Sequence, residues 1–176
     1  MLFNGERVGD GSGPQVDIAV DPVDGTTLTA RGAAGALAVI AVAERGSMFS
    51  PGSLVYMDKI AVGEAAAGTI DIEAPVAHNL QQVAKALGKR INDVAAIILD
   101  RPRNEPYMAA VREAGARIHL ITDGDISGAI ATAKSDSGVD ILFGIGGSPE
   151  AVTAACAMAA VGGELQCKIW PRDESE

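Results

Sequence analysis

From residue 76 onward the hydrophobic period of this chain keeps switching, and that alternation constrains the fold more than any other feature. Val76, Leu80, Val83, Ala84 and Leu87 recur at helical spacing, and Gly88 follows the last of them. This is the pattern of an amphipathic helix stopped by a glycine in the left-handed conformation. Residues 95–99 form a short unbroken apolar run, the pattern of a buried strand. The exchange then repeats: a helix over 105–114 with Pro106 in its first turn, a strand over 118–122, a helix over 125–134, a strand over 139–143, a helix over 149–160 opened by Ser148 and Pro149, and a strand over 164–170. Strands alternating with helices over short connections predict an α/β fold with a largely parallel sheet covered by helices. Ligands in such sheets gather at the carboxyl ends of the strands, which here puts the loops at 100–104, 123–125 and 144–150 forward.

The first 75 residues follow a different pattern, so the chain divides into units 1–75 and 76–176. Gly5, Gly9, Gly11 and Gly13 mark an opening loop, and an alternating strand follows over 16–20. The apolar run over 36–43, β-branched in its second half, fits a strand buried on both faces. Residues 47–75 mix short apolar runs with glycine and predict irregular strands.

The first strand leads into Val20-Asp21-Pro22-Val23-Asp24-Gly25-Thr26-Thr27-Leu28. Asp-Pro and Asp-Gly are ordinary turn punctuation when each stands alone. Joined at a strand end they do more. Two carboxylates three residues apart supply hard oxygen ligands suited to Mg²⁺ or Mn²⁺, and a glycine turn with hydroxyls suits a phosphate. Together they read as metal-assisted phosphate-ester chemistry. A single turn cannot complete a divalent site, so further ligands must come from elsewhere in the chain.

Bulk properties remove other classes. The chain has 176 residues, 48% of them hydrophobic, 21 glycines, only 3% aromatics and a net charge of −9. Without a basic run, nucleic-acid binding is disfavoured. Cys156 and Cys167 form no metal motif, and His78 and His119 are far apart, which disfavours zinc. Cys156 in its alanine-rich run reads as a small buried hydrophobe. No secretory signal is visible, no run is long enough to span a membrane, and a soluble cytoplasmic protein is expected. A Rossmann-type dinucleotide-binding reading is weaker and disfavoured, because no glycine-rich turn with a suitably placed acidic residue follows the first strand.

The Asp-Pro-Val-Asp-Gly-Thr turn resembles the signature of the lithium-sensitive, metal-dependent phosphatase superfamily. Val55-Tyr56-Met57-Asp58-Lys59, Arg101-Pro102-Arg103, Asp123-Gly124-Asp125 and Gly144-Ile145-Gly146-Gly147-Ser148-Pro149-Glu150 narrow the resemblance to class II fructose-1,6-bisphosphatase, the GlpX type. The last of these blocks discriminates best. The resemblance implies a layered αβαβα sandwich, here missing its N-terminal and C-terminal portions. It implies hydrolysis of fructose 1,6-bisphosphate to fructose 6-phosphate and phosphate, with Mn²⁺ or Mg²⁺ as cofactor, a small-molecule sugar bisphosphate as partner, and a homo-oligomer in the full-length member. By position it makes Asp21, Asp24 and Glu150 metal ligands and Thr26, with Asp24, catalytic. It makes Asp24, Gly25, Thr26, Tyr56, Arg101, Pro102, Arg103, Asp123, Gly124, Asp125 and Gly147 substrate contacts. The second acidic position is often Glu in this family, and Asp24 shortens the reach to the cation.

Bland readings stand beside these. Glu150 falls in a first helical turn, where a carboxylate is favoured by the dipole without any metal. Asp123 and Asp125 could cap the next helix. Arg101 and Arg103 could be solvated loop charges, and Tyr56 half-buried packing. Gly144, Gly146 and Gly147 could form a nucleotide loop, although a lone glycine cluster is weak grounds for one. Sedoheptulose 1,7-bisphosphate is a second substrate that sequence cannot separate from the first, and a non-catalytic fragment is a third reading. As an internal fragment the chain is expected to show little or no turnover alone.

Overall fold

The computed structural model describes residues 5–172. A two-stranded antiparallel ladder pairs β1 (Val16–Asp24) with β2 (Leu37–Glu44), and a short helix α1 (Thr26–Ala30) lies between them. β3 (Tyr56–Val62) follows. Then come α2 (Val76–Ala86), β4 (Ala95–Leu99), α3 (Glu105–Glu113), β5 (Arg117–Ile121), α4 (Asp125–Thr132), β6 (Ile141–Gly147), α5 (Ser148–Ala160) and β7 (Glu164–Ile169). The α/β alternation of the second half is thus present. At the end of α2, Gly88 takes φ +63° and the Lys89 amide reaches back to the Ala84 carbonyl, the wrap that a left-handed glycine cap produces.

The five-stranded sheet runs β5-β4-β6-β3-β7. β4 is parallel to β5 and β6, whereas β3 is antiparallel to both β6 and β7. The sheet is therefore mixed, which corrects the expectation of a largely parallel one. β4 to β7 all run the same way. The exception is β3, which lies before residue 75 in the chain yet slots between β6 and β7. Its pairing with β6 also lengthens that strand. Tyr56, Met57 and Lys59 stand opposite Gly147, Gly146 and Gly144, so the first part of the expected 144–150 loop is extended sheet.

Each face of this sheet has its own core. Ile60, Val62, Ile98 and Phe143 meet Leu80 and Val83 of α2 and Met108 and Val111 of α3. Each such fully buried aliphatic side chain contributes about 1.5–3 kcal/mol. On the other face Ala61, Ala95, Ile97 and Leu142 meet Ala129 of α4 and Ala154 and Met158 of α5. The small residues there let the helices approach closely. The β1–β2 ladder lies against the far side of α5. The layers thus run helix, sheet, helix, sheet.

The ladder presents Ala19 and Ala41, paired across the strands, on its half-buried side, and Ile18, Val20, Ile40 and Val42 on its exposed side. β2 is therefore not buried on both faces, although its continuous apolar run suggested that it would be. Among the described residues no helix is long and apolar enough to cross a membrane.

Candidate active site

The site assembles where β4, β5 and β6 end and β3 begins, facing the turn that leaves β1. In that turn the pairing register slips between Asp21 and Asp24, and Asp21 Oδ1 accepts the Val23 amide at 3.0 Å. Gly25 then takes φ 95°. A Cβ there would lie 3.1 Å from Leu28 Cδ1 and 3.2 Å from Ala36 Cα, so both backbone conformation and space select glycine. The chain enters α1 at once, leaving Thr26 exposed and Asp24 buried.

This turn interlocks with the one after β5. The Thr27 amide donates to Asp123 Oδ2 at 2.9 Å, and the Ser127 amide donates to Asp24 Oδ2 at 3.3 Å. Gly124, at φ 84°, brings the two together: a Cβ on it would stand 3.7 Å from Asp24 Oδ2. Segments about a hundred residues apart are thereby joined through the carboxylates that the sequence singled out. Asp123 also has Arg101 Nη2 at 3.9 Å from its Oδ1. Pro102 opens the 3₁₀ turn Pro102–Asn104 that carries the loop away from β4.

Arg103 is anchored. Its Nε donates to the Ile145 carbonyl at 2.9 Å, and its guanidinium lies 4.5 Å from the centre of the Tyr56 ring. Tyr56 in turn meets Trp170 edge-on at 6.1 Å. The cation lies over an aromatic face, a contact that Arg supports better than Lys.

The glycine-rich segment runs as strand through Gly147 rather than as a loop. It clears space for other side chains. A Cβ on Gly144 would come within 3.2 Å of Asn104 Nδ2, one on Gly146 within 2.1 Å of Asp125 Oδ2, and one on Gly147 within 1.9 Å of Glu150 Oε2. Two of the groups accommodated in this way were not singled out from sequence. Asn104 is fully buried and bridges two strands, accepting the Ile145 amide at 2.7 Å and donating to the Leu99 carbonyl at 2.9 Å. Lys59 is buried and bonds Asp125 Oδ2 at 2.5 Å. A lysine inside the apolar strand β3 was the available signal, because a buried lysine needs a charge partner. Asn104 carried no comparable signal.

Electrostatics follow from crowding carboxylates at one end of a sheet. Loss of hydration pushes Asp24 up to about 6, Asp125 adds repulsion, and the Ser127 amide opposes the rise. Glu150 is also raised, mainly by burial, then by Asp125 and Asp21, while its own amide and Lys59 pull it back. Its Oε2 is buried without a hydrogen-bond partner. An orphaned carboxylate oxygen beside further carboxylates, all hard donors, fits a divalent cation. Among the described residues, however, no group of three or more His, Cys, Asp and Glu side chains is drawn close enough to hold one.

Comparison with known proteins now bears on the chemistry. A family model described as bacterial fructose-1,6-bisphosphatase, glpX-encoded, matches residues 1–176. Fructose-1,6-bisphosphatase 1 class 2 of Escherichia coli K12 is 44% identical over 174 residues, covering 99% of this chain and 52% of the relative. The class 2 fructose-1,6-bisphosphatases of Escherichia coli O6:H1 and Shigella flexneri match with the same identity and coverage. The chain thus spans about half the length of the curated relatives it matches.

Proposed function

This chain belongs to the glpX-encoded bacterial fructose-1,6-bisphosphatase family, and from that premise we propose that its site binds a sugar bisphosphate and serves metal-dependent hydrolysis of fructose 1,6-bisphosphate to fructose 6-phosphate and phosphate. The observation that carries this reading is the junction of Asp24 and Thr27 with Ser127 and Asp123. It brings a carboxylate–glycine–hydroxyl turn against a loop of polyol-binding character. Asp21, Asp24 and Glu150 are the residues that would hold Mn²⁺ or Mg²⁺. When bound, such a cation polarises the phosphoryl oxygens and acidifies the attacking water.

The chain's own groups have separate tasks. Gly25 and Thr26 seat the phosphoryl group, and the Thr26 hydroxyl orients the water. The Thr27 amide is engaged by Asp123, so its part is to tie the loop to the turn. Asp123, Gly124 and Asp125 accept the sugar hydroxyls. Arg103, held over the Tyr56 ring, and Arg101 face the second phosphate, with Pro102 fixing their spacing and Gly147 leaving room for Glu150. Holding the reacting groups in line in this way is worth several kcal/mol of barrier.

The test has two parts. In a chimaera where this chain replaces the matching residues of the Escherichia coli K12 relative, phosphate release from fructose 1,6-bisphosphate should require a divalent cation and vanish in Asp21→Asn. Arg103→Lys should raise KM about tenfold, since a bidentate, stacked donor is lost. Residues 1–176 alone should turn over little or not at all, as no three ligands are gathered among the described residues. Failure of the chimaera to release phosphate with either cation would overturn the reading.

A further inference from the structure

Lys59 stands where an apolar strand should have continued. β3 reads Tyr56-Met57-Asp58-Lys59-Ile60-Ala61-Val62, and Lys59 shares the side of Ala61, which faces α4 and α5. Its side chain is 3% exposed, and its Nζ meets Asp125 Oδ2 at 2.5 Å. A Cβ on Gly146 would fall 2.1 Å from that oxygen and 3.0 Å from Nζ. Gly146 is therefore small because the ion pair fills the space beside it. Around the pair negative charge predominates, with Arg101 meeting Asp123 at 3.9 Å. Asp24 is repelled by Asp125, Asp21 and Asp123, and Glu150 by Asp125 and Asp21, whereas Lys59 attracts Glu150.

We propose that Lys59 is a positioning residue of this site: it fixes the Asp125 carboxylate for a sugar hydroxyl, and its buried positive charge biases the carboxylate cluster toward an anionic sugar phosphate. The inference rests on the phosphatase reading above and deepens it. With Oδ2 held by Lys59, the plane of the Asp125 carboxylate is set before substrate arrives, which is the supporting role that a well-ordered site requires. The same ammonium lies close enough to stabilise the Glu150 carboxylate. It therefore opposes a divalent cation and favours a phosphate dianion, two effects of opposite sign from one charge.

That opposition supplies the test, because a scaffold role would move both ligands in the same direction. Trp170 is the single tryptophan of the chain and lies 6.1 Å from Tyr56, so its fluorescence can report binding. Mn²⁺ alone, and fructose 6-phosphate in chelated buffer, are titrated into the wild-type chain, Lys59→Met and Lys59→Arg. Lys59→Met should bind Mn²⁺ about tenfold more tightly and the sugar phosphate about tenfold more weakly, consistent with one unit charge acting across a partly buried site. Lys59→Arg should return both toward wild type. Parallel weakening of both ligands in Lys59→Met, or no change in either, would overturn the proposal while leaving the phosphatase reading intact. A wild-type chain that binds neither probe would overturn the proposal for Lys59, whereas the phosphatase reading stands or falls with the chimaera. If Lys59→Met does not fold, the double variant with Asp125→Asn decides the matter. Recovery of a cooperative melt with Mn²⁺ affinity near wild type supports the pair, because the double change removes one charge of each sign, and failure to recover refutes it.

Discussion

Replacing Asp24 with Asn should stabilise the metal-free chain at neutral pH, although it removes a residue assigned to catalysis. Asp24 is 4% exposed, and its carboxyl is pushed from 3.8 to about 6, first by lost hydration and next by Asp125. Between pH 3.8 and about 6 the folded chain keeps a proton that the unfolded chain has released. Stability contributed by this group is therefore present below the unfolded value and is lost as pH rises through that window. About two pKa units at 1.36 kcal/mol each set a ceiling of roughly 3 kcal/mol. Asn keeps an oxygen for the Ser127 amide, so the hydrogen bond at 3.3 Å survives the exchange. Urea unfolding in chelated buffer at about pH 4 and about pH 8 measures the difference between wild type and variant. That difference should be near zero at the lower pH and roughly 1–3 kcal/mol in favour of Asn at the higher. A difference that does not change with pH, or a variant less stable at the higher pH, would refute the reasoning.

Two further expectations concern other layers of the structure. Gly147→Ala places a methyl 1.9 Å from Glu150 Oε2. It should displace that carboxylate at about 1–3 kcal/mol and weaken Mn²⁺ binding with far-UV circular dichroism unchanged; unaltered affinity would remove Glu150 from the ligand set. Ile40→Thr combined with Val42→Thr keeps β-branched residues at positions 66% and 58% exposed. The pair should reduce dye binding and aggregation at a stability change within about 0.5 kcal/mol for each site, and a loss several times larger would show that this face is covered in solution.

The second half of the chain was legible because its period changes coincide with its element boundaries. β4 over Ala95–Leu99 is where the apolar run places it, and the helix expected over 105–114 appears as α3, Glu105–Glu113. What could not be read was partnership. Nothing local in Tyr56–Val62 says that it inserts antiparallel between β6 and β7, since strand order is set by non-local pairing. The glycines of residues 144–147 looked like a loop because glycine is read as a breaker. In the structure they extend a strand, and their small size serves Asn104, Asp125 and Glu150. Of the candidate site, the residue types were legible. The contacts that join them, such as Thr27 to Asp123 across 96 residues, required the fold.

A perturbed carboxylate is not by itself a mark of function here, and topology makes the distinction. Asp58 is raised by burial, as Asp24 and Glu150 are, and like Glu150 it has a buried oxygen without a partner. Yet Asp58 alternates with Lys59 along β3 and points to the opposite face, where Tyr107 of α3 donates a hydrogen bond to it and stacks on Phe143. It borders the aliphatic residues under α2 and α3, and the charges that act on it are those of Lys168 and Glu73, a pair of opposite sign. Asp24 and Glu150 lie instead among Asp21, Asp123 and Asp125, whose mutual repulsion raises the free energy of the folded chain. A fold holds like charges together in this way at a cost in stability, and such local conflicts concentrate at functional sites. The complement that would relieve the conflict is positive, and Lys59 provides one buried unit of it. The remaining imbalance is the ground for proposing a hard cation at this end of the sheet, and it is why the Asp24→Asn variant should gain stability.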